Sequence, residues 1–421
     1  MSEPLRVPAL APFRVRAFRF QWPADLATSW AFEMETLILG WYVLVETQSV
    51  FMLTVFASLQ YIGTLLAPMF GVMGDRVGHR NLLCAMRGLY ATCATTLMTF
   101  AFLGMVTPTI VLVVTGIMGL VRPSDIGVRS ALVADTMPSD RLVGAMSIQR
   151  TTQDSARVCG ALTGAGLVAL LGMGPAYVVV ASFYVISITL TWKAGSVRTP
   201  PHPTAHGAEG STRASPWRDL KEGLAYVWHT PHLKGAMCHA FLLNMTAFPL
   251  FNGLLPYVAK EIYLSDQTTL GYMVAGASFG ALVGALVMSR IAHSIRPARV
   301  ALTFGAGWYL MLIVFAHTPY AAIGIPILIV TGIIQSTGLI PMTAMLLRNS
   351  DTRYRGRVMG IRMLMLYGNL PGLLLAGPLI ASLGYSLTAT LYCVFGLVMT
   401  LAIAVNWREH LWRRGAPANT R

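Results

Sequence analysis

The chain has 421 residues, 55% hydrophobic and 11% charged, with a mean hydropathy of +0.60. A soluble protein carries about 25% charged residues, so this composition excludes an ordinary soluble domain and points to an integral membrane protein. The formal net charge of +14 needs no nucleic-acid partner, because its placement follows membrane topology.

Apolar stretches of about 20 residues, long enough to cross a hydrocarbon core, recur along nearly the whole chain. Twelve spans are predicted, at 20–46, 48–70, 81–103, 109–131, 142–170, 174–194, 235–258, 269–291, 299–316, 320–347, 359–382 and 386–407. The opening MSEPLRVPALAPFRVRAFRF has arginines but no short apolar core followed by a small-residue cleavage site, so it is not read as a removable signal. Residues 1–19 are therefore expected to form a cytoplasmic segment, and 20–194 a first bundle of six helices.

The longest polar stretch, GSVRTPPHPTAHGAEGSTRASP, follows at 195–216. Its Pro, Gly, Ser and Thr content cannot form a packed core and reads as a flexible linker. Ser215 and Pro216 then suit a helix start, and Trp217, Leu220, Leu224 and Trp228 fall on one helical face. The whole of 195–234 is expected to be a cytoplasmic linker with an interfacial helix. A second six-helix bundle is expected over 235–407, and a basic cytoplasmic tail over 408–421.

Lys and Arg fix the orientation. With a cytoplasmic amino terminus, the inner segments receive Arg6, Arg14, Arg16, Arg19, Arg76, Arg80, Arg141, the linker, Arg296, Arg299, Arg353, Arg355, Arg357, Arg413 and Arg414, and the outer loops only Lys260. The five cysteines lie singly in apolar spans and the nine histidines show no metal spacing. No cofactor, metal or nucleotide motif is expected.

The halves echo each other: DRLVGAMSIQ (140–149) is repeated loosely as GRVMGIRMLM (356–365). Parallel six-span repeats of this kind are a layout of secondary transporters. The loop GVMGDRVGHR (71–80) resembles the major facilitator superfamily pattern G-x-x-x-D-R-x-G-R-R at Gly71, Asp75, Arg76, Gly78 and Arg80, with His79 where the family usually has Arg. Further stretches resemble the enterobactin exporter-like branch of twelve-span drug:proton antiporters, also described as transmembrane secretion effectors. These are Trp41 and Thr47 in GWYVLVETQS, RPSDIGVRSALVADTMPSDRLVGAMS (122–147), Arg157 with Gly160 and Gly164, and RGRVMG (355–360). The fifth span departs from that branch, with GALTG (160–164) where Gly-Pro is common, and so does the first, with EME (33–35) where uncharged residues are usual.

The resemblance implies an all-α integral membrane fold of twelve transmembrane helices in two pseudo-symmetric six-helix bundles. It further implies a monomer in the inner membrane that moves a small-molecule substrate by alternating access. It also implies a charge-linked latch on the cytoplasmic face, formed by Asp75 and Arg76, and Asp135 is the expected partner of Arg76.

Ionisable groups in hydrocarbon cost at least about 2.5–3.5 kcal/mol on insertion scales, so they face cavities or partners. The first span holds Asp25, Glu33 and Glu35, of which Glu33, near mid-membrane, is the leading candidate for a proton-coupling or substrate-binding acid, a structural ion pair or polar helix contact being the other reading. At 100° per residue Glu33 and Glu35 point about 160° apart and cannot share one cavity. Asp25 lies nearer the cytoplasmic end, where water could reach it. The fifth span offers Arg150, Asp154 and Arg157 on one helical face, either bridging one another or partnering the acids of the first span. Arg122 and Arg129 in the fourth span could serve likewise. Asn244, Asn252, Gln335 and Asn369 supply amides in the second half, as helix-to-helix contacts or as a polar wall for a ligand.

The expected function is export of a small amphipathic molecule driven by a proton gradient. Import or flipping of an organic anion or lysolipid, with the arginines holding the head group, is the alternative. A non-transporting receptor or assembly subunit would not explain the row of buried ionisable groups, and an enzyme is not expected because no nucleophile, base and orienter set appears.

Overall fold

The computed structural model describes residues 11–194, 216–291, 296–351 and 354–407. The first ten residues, the linker stretch 195–215 and the tail from 408 lie outside the described residues, as does the side chain of Asp75. What is described is helical, with no strand among the described residues.

After a short 3-10 turn, α1 runs over Arg16–Thr47 with Pro23 inside it. The second span is broken into α2 (Val50–Leu59), a 3-10 turn (Ile62–Leu66) and α3 (Ala67–Val77). Ser49 starts α2 by accepting a hydrogen bond from the Met52 amide. Next come α4 (His79–Phe102), α5 (Pro108–Thr136), α6 (Ser139–Leu171) and α7 (Met173–Lys193). Gly78, at φ 91°, turns the chain sharply from α3 into α4, a conformation that costs glycine little. Thr107 caps α5, with Pro108 in the first turn.

The second half starts with α8 (Pro216–His229) and α9 (Pro231–Phe248). The latter continues through two π-helical stretches, Pro249–Gly253 and Val258–Ile262. Then follow α10 (Gln267–Ile291), α11 (Pro297–Ala316), α12 (Ala321–Asn349), α13 (Arg355–Leu364), a 3-10 turn (Met365–Gly368), α14 (Asn369–Leu383) and α15 (Tyr385–Asn406).

Each of the twelve predicted spans is thus a helix or a broken helix. Among the described residues nine helical stretches are long and apolar enough to cross a membrane. The others are α1, which carries acids, α4, which carries Arg80 and Arg87, and the interrupted second span. Polar content gathers in the helices that build the site described below.

The chain divides into two compact units, Met1–Tyr42 with Leu65–Arg213, and Val43–Thr64 with Ala214–Arg421. Residues 43–64, which lie in the first half of the sequence, therefore pack with the second unit. There α2 lies on α14, where a Cβ added to Gly377 would come within 3.0 Å of the Phe51 Cα. In the first unit α6 approaches α1 through two glycines: a Cβ at Gly160 would stand 2.7 Å from the Glu33 Cβ, and one at Gly164 3.0 Å from the Met34 Cα. Small residues four apart permit this backbone contact. Trp22 and Trp30 of α1 donate to Thr152 and Thr163 of α6, both at 2.8 Å.

In the second unit α10 and α12 make a similar seam; a Cβ at Gly284 would stand 2.6 Å from the Ile333 carbonyl oxygen. The amphipathic α8 docks on this unit by burying Val227 beside Val358 and Ile361. Tyr226 stacks on Tyr354 with centroids 4.4 Å apart, and Arg357 donates to Glu222 at 2.9 Å. Leu224 and Trp228 remain exposed on its other side.

Candidate functional site in the first unit

Three groups of ionisable residues lie along α1, centred on Asp25, Glu33 and Glu35. The first surrounds Asp25. Burial to 4% exposure differs from the expected water-accessible position, because side chains from α4, α5 and α6 close over the carboxyl. Arg87 of α4 pairs with Asp25 and also donates to Thr191 of α7. Gln149 of α6 donates to the other carboxylate oxygen at 3.2 Å. From α5, Arg129 donates to the Ser29 hydroxyl at 2.8 Å and to the Asp25 carbonyl at 3.3 Å. Arg129 also pairs with Asp125 one turn earlier on its own helix. Two buried acids and two buried guanidinium groups thus balance in charge, and Coulombic attraction offsets the desolvation of each.

Sequence reasoning missed Arg87 and Asp125. The signal for Arg87 was present, since a lone arginine in the third span carries the same insertion penalty as the acids of the first.

The second group is an ion pair across the α1–α6 seam. Glu33 Oε1 lies 3.4 Å from Arg157 Nε, with the side chains 22% and 41% exposed. Arg157 therefore reaches across to α1. Lower on α6, Arg150 and Asp154 bridge each other at 3.2 Å, Arg150 being 73% exposed. On α5, Arg122 lies over the Phe32 ring, 4.5 Å from its centroid, and donates to the Phe32 carbonyl at 3.3 Å. The half-open pair at Glu33 can exchange partners without the full cost of stripping two buried charges, which the Asp25 cluster cannot do.

The third group is Glu35, turned to the opposite side of α1 as the helical angle requires. It is buried and accepts a hydrogen bond from Tyr184 of α7 at 2.9 Å. Phe32, Tyr90 and Tyr184 pack around it, with ring centroids 4.9 to 5.8 Å apart.

The loop between α3 and α4 forms a separate feature. Arg76 is exposed, and among the described residues His79, not Arg76, meets Asp135: Nδ1 and Oδ2 are 2.6 Å apart. The reason is local. Gly78 turns the chain so that residue 79 opens α4 facing the end of α5, and Gly74 leaves room for the ring, since a Cβ there would stand 2.6 Å from His79 Cδ2. Gly71 sits exposed in α3, and Arg80 donates to Asn81 at 3.2 Å.

In the second unit, two of the four candidate amides meet. Asn369 donates to Asn244 at 2.8 Å, and Asn244 donates to the Ala240 carbonyl at 2.8 Å. Gln335 is buried on α12 and Asn252 is exposed in a π-helical turn.

The family model described as Major Facilitator Superfamily matches residues 26–374 and 240–418. The chain is 24% identical over 299 residues to the enterobactin exporter EntS of Escherichia coli O1:K1, covering 69% of this chain and 67% of that one. It is 24% identical over 316 residues to EntS of Citrobacter koseri, covering 73% and 70%. Among solved structures, a bacterial homologue of the human lysosomal transporter Spinster, inward-facing and unoccupied, superposes with a TM-score of 0.71 at 13% identity, covering 96% of this chain and 99% of that one. The nucleoside transporter NupG superposes with a TM-score of 0.69 at 12% identity, covering 95% and 99%. The sequence pattern, the helical architecture and the family match agree: the chain belongs to the major facilitator superfamily.

Proposed function

We propose that the protein is a secondary active transporter that uses a proton gradient to export a small amphipathic molecule across the inner membrane, with both termini cytoplasmic. The observation that carries this reading is the Glu33–Arg157 pair, a half-exposed acid and base at 3.4 Å on facing helices. The charged Glu33 carboxylate and the Arg157 guanidinium can each take a hydrogen-bonding group of the substrate, whereas a proton arriving at Glu33 removes the carboxylate's charge and loosens that hold. Proton and substrate thereby favour different states of one pair, and this difference is what coupling requires. The likeness to enterobactin exporters makes enterobactin the first substrate to try.

The test is efflux from proteoliposomes loaded with enterobactin, with and without an imposed pH gradient. The gradient is expected to accelerate efflux by wild-type protein and to leave Glu33→Gln at its gradient-free rate. Arg157→Ala is expected to weaken enterobactin binding roughly ten- to a hundredfold, the loss of one charge-assisted contact worth ~1.5–3 kcal/mol. Gradient dependence retained in Glu33→Gln would remove Glu33 as the coupling acid.

A further inference from the structure

Glu35 takes no part in the Glu33–Arg157 pair, yet a carboxyl is kept inside the first unit near the middle of α1. The groups that face it come from three helices: Cys93 of α4, Arg122 of α5, and Tyr177 and Tyr184 of α7, with Tyr90 of α4 packed behind Tyr184. Tyr184 donates to Oε2. Tyr177, seven residues earlier on α7, comes close to the same carboxyl without completing a hydrogen bond. Glu35 Oε1, the Tyr177 hydroxyl and the Tyr90 hydroxyl are all buried and unpartnered. Tyr90 also bridges to the Asp25 cluster: its ring is 5.6 Å from that of Tyr184, and it lies within Coulombic range of Asp125 and Arg129. Asp125 Oδ1 likewise lacks a hydrogen-bond donor.

Buried polar atoms are satisfied by protein or by ordered water. The unpartnered oxygens of Glu35, Tyr177, Tyr90 and Asp125, all buried within the first unit, therefore mark places for water. We propose that Glu35 and the hydroxyls of Tyr90, Tyr177 and Tyr184 form a hydrated proton site inside the first unit. One proton is transferred from a hydronium ion, whose O–H bond breaks to leave water, to Glu35 Oε1, where the new O–H bond forms; nothing is oxidised or reduced. In the charged form the carboxylate accepts from Tyr177 and Tyr184; in the neutral form the new O–H donates to the Tyr177 oxygen or to water. This inference rests on the proton-coupled reading above, for which it supplies a second acid.

The test needs no substrate. Infrared difference spectra between acid and neutral pH, taken on protein in lipid nanodiscs, are expected to show the carbonyl stretch of a protonated carboxyl. That band should vanish in Glu35→Gln, persist in Glu33→Gln and shift in frequency in Tyr177→Phe, a variant that loses only one hydroxyl. Hydroxyl-radical footprinting should label Tyr90 and Tyr177 well above Tyr309, which is equally buried but hydrogen-bonded to Thr246 at 2.7 Å. No such band in the wild type, its survival in Glu35→Gln, an unshifted band in Tyr177→Phe, or labelling of Tyr90 and Tyr177 no higher than Tyr309 would each overturn the proposal. An intact band together with gradient-independent export would count against the proposed function and leave the site standing.

Discussion

Asp25 illustrates what a charge inside a helical bundle demands of its neighbours. Arg87, Arg129 and Gln149 all converge on it, so removing one member leaves another charge buried without its partner. Arg87→Met is accordingly expected to destabilise the first unit by about 3–5 kcal/mol, while Arg87→Met combined with Asp25→Leu recovers most of that loss. Thermal unfolding in detergent measures both; a double variant no more stable than the single one would contradict the pairing. The acids of α1 stood out in the sequence because ionisable residues are scarce in apolar spans. Their partners did not, because the helical angle tells which way a side chain points along its own axis but not which helix comes to meet it. The separation of Glu33 from Glu35 followed from that angle, whereas the assignment of Arg157 to the first and Tyr184 to the second required the packing.

At the scale of elements, the α1–α6 seam holds the proposed exchange pair in place. Because the Gly160 position is filled by Glu33 and the Trp30 carbonyl, Gly160→Val is expected to force the helices apart at a cost of about 1–3 kcal/mol. Weaker enterobactin binding together with a lower unfolding temperature would register this; unchanged values for both would show that the seam can yield. At the α3–α4 turn, Asp75→Asn is expected to shift the population towards inward-open states. Site-directed accessibility labelling that finds no change would refute this. The loop itself was readable from its glycines and charges, but the meeting of His79 with Asp135 was not. It depends on the positive φ of Gly78 and on the space beside Gly74, neither of which the one-dimensional pattern records.

For the molecule as a whole, the distribution of Lys and Arg makes a prediction about sidedness. Trypsin is expected to cut the stretch 195–215, which contains Arg198 and Arg213, in inside-out vesicles and not in right-side-out ones. Cleavage from the outside would reverse the proposed orientation. The helical architecture was legible from hydropathy alone, since each twenty-residue apolar stretch must satisfy its backbone internally. The grouping of residues 43–64 with the second unit was not, because span order in a sequence does not specify which spans share a packing surface.

The two π-helical stretches after α9 have a consequence for how this chain tolerates change in length. Each wider turn accommodates one residue more than an α-helix would, a form seen mostly as single turns at functional places. Removing one residue from 249–253 would let that turn close into ordinary α-helix while every later side chain kept its bearing. The same deletion in the regular α10 would swing all that follows by about 100°. The segment 249–262 is thus a place where this protein can absorb a one-residue deletion, and its wide turns are the structural trace that an insertion would leave.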